Sequence, residues 1–150
     1  FGNAIATNPE QSERSQYILF FQQEGAAEKT LSDNDYGGLK AVWNQSSPEQ
    51  VEEYLRVFRQ PGALTGALNW YRGITVAGEG RQPIGDVSVP TILIWGNQDQ
   101  AIGRPGVEAT PPLMSGPYRL IELDVGHWLI QEAETEVLRE ITNHIGAFPV

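Results

Sequence analysis

Apolar residues follow two different patterns along the chain, and these patterns divide it into two parts. Up to about residue 75 they recur every three or four positions, which is typical of one face of an amphipathic helix. From about residue 86 onward, continuous apolar runs alternate with helical spacing. The stretch between them, 78–85, contains Gly and Pro without periodicity and predicts a boundary.

The first part predicts helices separated by short polar loops, at 12–22, 26–31, 36–43, from the cap at Ser47 to a stop at 60–62, and 63–72. The start of the fourth helix has the strongest signal. Ser47 can cap the first free backbone N–H groups, Pro48 suits the first helical position, and Gln50 completes a capping box.

The second part predicts strand, helix, strand, helix, and therefore an α/β fold with parallel strands. The apolar run 89–95 is typical of a strand buried on both faces, and 118–123 predicts a second strand. Pro111 and Pro112 predict a short or broken crossover helix at 106–115. The closing helix, 132–145, carries an apolar stripe formed by Ala133, Val137, Leu138, Ile141 and Ile145.

Composition and charge narrow the classes of partner. The 150 residues contain 10 Lys and Arg against 19 Asp and Glu, a formal charge of −9, which argues against nucleic acid and anionic membranes. Zero cysteines exclude disulfides, a thiolate nucleophile and Cys-ligated metals. With no apolar run of about 18 residues and no leader in view, we expect a cytoplasmic protein that does not enter the membrane.

Two ionisable residues follow the two predicted strands. Asp99 comes after the first strand and His127 after the second. If the two strands are adjacent and parallel, Asp99 and His127 emerge at the same edge of the sheet. An Asp in that position can hold a His in one tautomer, and the His can then act as a general base. Taken alone, Asp99 could simply form a turn and His127 could simply be a loop residue. Their matched positions after successive strands favour a catalytic pair. His127 and His144 lack metal-ligand spacing on one element, so we expect no metal.

These residues resemble a known family. The segment VPTILIWGNQD at 89–99 and Gly126-His127-Trp128 are similar to the closing part of the α/β-hydrolase fold, in its epoxide hydrolase and haloalkane dehalogenase branch. The resemblance implies that Asp99 is the acid and His127 the base of a catalytic triad. It covers about residues 1–147 and implies a helical lid at 1–78, a linker at 79–88 and the C-terminal part of the core sheet at 89–150. It implies no cofactor.

Two tyrosines enter through the same resemblance. The segments YILFFQ at 17–22 and ALNWYR at 67–72 look like the two lid segments of epoxide hydrolases. Each supplies a Tyr whose hydroxyl donates a hydrogen bond to the epoxide oxygen, which implies this role for Tyr17 and Tyr71. A Tyr on an apolar helix is otherwise more often part of the core.

The nucleophile of this family is missing from the 150 residues. It sits on a sharp strand-to-helix turn of the type Gly-x-Ser-x-Gly, or on an Asp-containing relative of it, and neither motif occurs here. We therefore expect the chain to be the C-terminal portion of an epoxide hydrolase and to be inactive alone. We expect the complete parent enzyme to act on a small apolar substrate. A parent esterase, a parent dehalogenase and a non-catalytic binding protein are the alternatives. Because two parallel strands cannot stand alone, we expect a homo-oligomer or a complementing N-terminal half.

Overall fold

The computed structural model of the protein describes residues 2–73 and 85–149. Packing divides these residues into two units, one formed by 2–15 with 85–149 and the other by 16–73. The predicted lid region therefore includes a segment, 2–15, that packs with the strands. The lid and linker boundaries remain predictions, and most of the linker, 79–84, lies outside the described residues.

The described residues form helices and one small sheet. In chain order the elements are α1 (Gly2–Thr7), α2 (Pro9–Arg14), α3 (Gln16–Phe21), α4 (Ala26–Val42), α5 (Pro48–Phe58), α6 (Ala63–Arg72), β1 (Thr91–Gly96), α7 (Arg104–Glu108), a 3₁₀ turn (Pro111–Leu113), β2 (Tyr118–Leu123), α8 (Leu129–Glu132) and α9 (Glu134–Ala147). No helix within these ranges is both long enough and apolar enough to cross a bilayer.

The sheet confirms the predicted parallel α/β arrangement. β1 and β2 pair in parallel, with Thr91 opposite Tyr118 and Gly96 opposite Leu123. The connection between them contains only the five-residue α7 and the 3₁₀ turn at Pro111–Leu113, so the predicted broken crossover is also confirmed. Both strands end at the same edge of the sheet.

The helical unit follows the predicted pattern closely. Ser47 Oγ accepts the N–H of Gln50, and Gln50 Oε1 accepts the N–H of Ser47, which is the predicted capping box. Backbone dihedrals inside α4 leave the helical region at Asp33–Tyr36, where the sequence predicts a break between two helices. The core of this unit is formed by Ile18, Ala27, Leu31, Leu39, Trp43, Leu55, Leu64 and Leu68.

Three expectations about helix boundaries and burial are wrong. The predicted helix 12–22 breaks at Ser15, and the predicted closing helix breaks at Ala133, where φ is −146°. The first four residues of β1 are only half-buried, because one parallel strand covers them where a wider sheet would supply two neighbours. The sequence made no prediction of burial for the closing apolar stripe. Ala133, directly before α9, and Val137 are buried, while Leu138, Ile141 and Ile145 are exposed.

Candidate active site

The loops that follow the two strands lie directly against each other. The N–H of Asn97 donates to Leu123 O at 2.9 Å, and the N–H of Gln98 donates to Val125 O at 3.0 Å. A Cβ atom on Gly96 would overlap with the carbonyl oxygens of Val125 and Gly126. Glycine is therefore required at 96 for this close approach of the two loops.

The close approach brings Asp99 and His127 together, as the sequence predicts. Asp99 Oδ2 lies 2.9 Å from His127 Nδ1. The other carboxylate oxygen, Oδ1, accepts the N–H groups of Ala101 at 2.7 Å and Ile102 at 2.9 Å. Because an ionised carboxylate only accepts hydrogen bonds, Nδ1 must donate, and Nε2 of a neutral imidazole then carries the lone pair.

The electrostatics of the pair suit a base held by a carboxylate. The Asp99 side chain is only 6% exposed. Burial raises the pKa of Asp99, but the hydrogen bonds from His127, Ile102 and Ala101 outweigh burial, and the pKa lies below its ordinary value. The hydrogen bond to Asp99 raises the pKa of His127 against the opposing effect of its partial burial. The imidazolium is thus stabilised when it forms.

A pocket opens beside this pair. It has a volume of about 250 Å³, and both Asp99 and His127 line it. Most of its other lining residues are apolar, among them Leu93, Val107 and Leu129. The arrangement can take a proton from water next to a small apolar group.

Polar side chains that the sequence did not point to support both loops. Gln11, which is fully buried, bonds to the loop at 101–103, and Arg14 donates from Nη1 to Asp99 O at 2.9 Å. Glu132 accepts the N–H of Gly126 at 2.9 Å and that of Trp128 at 3.2 Å, on either side of His127. Gln11 and Arg14 lie far from Asp99 in sequence, so no motif links them to it.

Tyr17 and Tyr71 lie together in the helical unit. Their ring centroids are 5.9 Å apart in an edge-to-face arrangement, and Phe21 contacts both rings. Burial raises the pKa of Tyr71, which keeps its hydroxyl protonated and able to donate. Gln22, directly after α3, donates a hydrogen bond from Nε2 to Tyr71 O of α6 at 2.9 Å and so links the two helices. The structure therefore brings the four predicted residues together as two pairs, one in each unit.

The relatives of this chain are hydrolases. No family model matches the chain. The AB hydrolase superfamily protein YfhM of Bacillus subtilis is 31% identical over 143 residues, which cover 91% of this chain and 50% of the relative. Epoxide hydrolase 4 of mouse is 33% identical over 144 residues, covering 88% of this chain and 40% of the relative. The chain is homologous to the C-terminal part of epoxide hydrolases.

Solved epoxide hydrolases share the fold of the chain. A structure of the Bacillus megaterium epoxide hydrolase has a TM-score of 0.84 at 18% identity, over 97% of this chain and 56% of that one. An epoxide hydrolase from metagenomes of hot environments has a TM-score of 0.78 at 26% identity, over 97% and 54% of the two chains. The fold is thus part of the α/β-hydrolase fold. The chain spans about half the length of the epoxide hydrolases it matches, and 40–50% of the first two curated relatives.

Proposed function

We propose that this chain provides the base and the epoxide-oxygen donors of an epoxide hydrolase whose nucleophile comes from outside the 150 residues. The observation that carries the proposal is the contact of 2.9 Å between Asp99 and His127 at the ends of two parallel strands, in a chain whose homologues are epoxide hydrolases. The proximity of Tyr17 and Tyr71 supports the second role.

The reaction then runs in two steps. In the first, a carboxylate nucleophile attacks an epoxide carbon, the carbon–oxygen bond breaks, and the oxygen takes a proton from the hydroxyl of Tyr17 or Tyr71. In the second, His127 Nε2 takes a proton from water, and the hydroxide adds to the carbonyl carbon of the ester. The tetrahedral intermediate collapses, and the departing alkoxide takes the proton from the His127 imidazolium to give the diol. The carboxylic acid released with it returns its proton to the tyrosinate, so that carboxylate, imidazole and tyrosine are all regenerated. Asp99 stabilises the imidazolium that forms.

The first test is complementation with a nucleophile-bearing part. The chain is mixed with the N-terminal part of a relative such as mouse Epoxide hydrolase 4, and hydrolysis of styrene oxide is followed. We expect neither part to act alone and the mixture to form the diol. Turnover by the chain alone, or a mixture that forms no diol, would contradict the proposal.

Variants of His127 and His144, each mixed with the nucleophile-bearing part, test whether His127 is the base of the second step. His127→Gln should halt the second step, so that the nucleophile-bearing part gains the mass of one epoxide in a mass spectrum. His144→Gln is the matched control, because His144 instead contacts Pro90 O at 3.2 Å, and it should retain turnover. Equal turnover in both variants would remove His127 from the mechanism.

A further inference from the structure

We propose that Gln11 is a positioning residue that holds the loop carrying Asp99 in the place where its carboxylate meets His127. This role rests on the proposed function of the Asp99–His127 pair. Gln11 belongs to α2, 88 positions before Asp99 in sequence, yet both residues lie in the same packed unit.

The amide of Gln11 makes three hydrogen bonds, two of them to this loop. Its side chain is fully buried, and Oε1 accepts the N–H of Gly103 at 2.8 Å. Nε2 donates to Ala101 O at 2.8 Å and to Ser15 Oγ at 3.0 Å. A primary amide has a donor end and an acceptor end, so it satisfies a backbone C=O and a backbone N–H two residues apart, which no apolar side chain can do.

The same loop segment also bonds to Asp99 itself. Ala101 donates its N–H to Asp99 Oδ1 while its carbonyl accepts from Gln11. Ile102, between the two contacts of Gln11, donates its N–H to Asp99 Oδ1 as well. Gln11 therefore fixes the two N–H groups that hold Oδ1, and this leaves Oδ2 directed at His127. A change at Gln11 should act on the pair through these backbone groups.

A buried glutamine can contribute to folding stability without positioning Asp99. The test therefore follows a property that depends on the Asp99–His127 contact and not on the free energy of unfolding. The pKa of the His127 ring, followed by NMR titration, reports directly on its contact with Asp99 and needs no nucleophile. The charged groups around the pair are Asp99 and Glu132 beside the ring and Arg14 on Asp99 O. None of them is altered in the variants of Gln11. His144 provides an internal reference in the same spectra.

Asp99→Asn sets the scale by removing the charge, and we expect it to lower the pKa of His127 by about 1 pH unit. Gln11→Met keeps the length of the side chain but none of its hydrogen bonds, and we expect roughly half that fall. Val137→Ala, a core change on α9 at a side chain that forms no hydrogen bond, should lower stability and leave the pKa of His127 unchanged.

An unchanged pKa of His127 in Gln11→Met, with the full fall in Asp99→Asn, would overturn the role of Gln11 and leave the proposed function intact. No fall in Asp99→Asn would overturn both. If Gln11→Met does not fold, Ser15→Ala decides the question, because it removes one of the three partners of the Gln11 amide. It should lower the pKa of His127 by a smaller amount, and no change would overturn the proposal.

Discussion

The charge on His127 links the chemistry of the site to the stability of its unit. The pKa of His127 is raised above its ordinary 6.5 by its hydrogen bond to Asp99, and the pKa of Asp99 is lowered below 3.8 despite burial. Between these values the folded protein holds a charged pair. The stability contributed by His127 is complete below pH 6.5 and is lost as the pH rises through the raised value.

Replacement of His127 should therefore have a pH-dependent cost. We expect His127→Gln to reduce the free energy of unfolding more at about pH 5.5 than at about pH 9, with a difference below about 1 kcal/mol because the ring is 44% exposed. Chemical denaturation at the two pH values measures it. An equal cost at both would show that the ring gains no proton-linked stability. Below pH 3.8 the contribution of Asp99 also fades as its carboxylate is protonated.

Glu132 supports His127 from the other side. Its carboxylate accepts the N–H groups of Gly126 and Trp128, and its charge also raises the pKa of His127. We expect Glu132→Ala to cost about 1–3 kcal/mol, since it leaves two part-buried donors without their partner, and to lower the pKa of His127. Glu13→Ala, at an exposed position of α2, is the control and should change neither.

At the scale of elements, the approach of the two post-strand loops depends on one missing side chain. Gly96→Ala places a methyl group where Val125 O and Gly126 O lie, so the loops must separate. We expect a loss of about 1–3 kcal/mol in unfolding free energy, as for other overpacked sites. Gly66→Ala in α6 meets open space and should stabilise by about 0.5–1 kcal/mol. Thermal unfolding of the two variants should shift in opposite directions.

Elements with local signals could be predicted, and those that depend on distant partners could not. The capping box at Ser47 and the prolines at 111 and 112 act within one turn of the chain, so the sequence alone shows them. Asp99 and His127 could be paired because parallel strands end at one edge. Gln11 could not, because its partners lie 90 and 92 positions away. The sequence could not predict which residues of the closing apolar stripe are buried, because periodicity shows which residues share a face and not what covers them.

At the scale of the whole molecule, α9 presents an apolar stripe to solvent. Leu138, Ile141 and Ile145 share one helical face and are 53%, 39% and 61% exposed. We propose that a second copy of the chain covers this stripe. Burial of three such side chains would stabilise the contact by several kcal/mol, at about 25 cal/mol per Å² of apolar surface.

Sedimentation of the chain alone tests this proposal. We expect the unmodified protein to self-associate and Leu138→Lys to shift it toward the monomer at the same concentration, because the charged side chain resists burial. Val57→Lys on α5, where the replaced valine is 49% exposed, is the matched control and should sediment like the unmodified protein. A compact monomer in dilute solution without any substitution would contradict self-association.

Along the chain, the helical unit is inserted within the strand-bearing unit. The chain leaves the strand-bearing unit after residue 15 and has returned to it by residue 85, so the unit that carries Tyr17 and Tyr71 is an insertion within another. Every contact between Gln11, Asp99 and His127 lies outside the insertion. The inserted helical unit can therefore be replaced without removing any of these contacts.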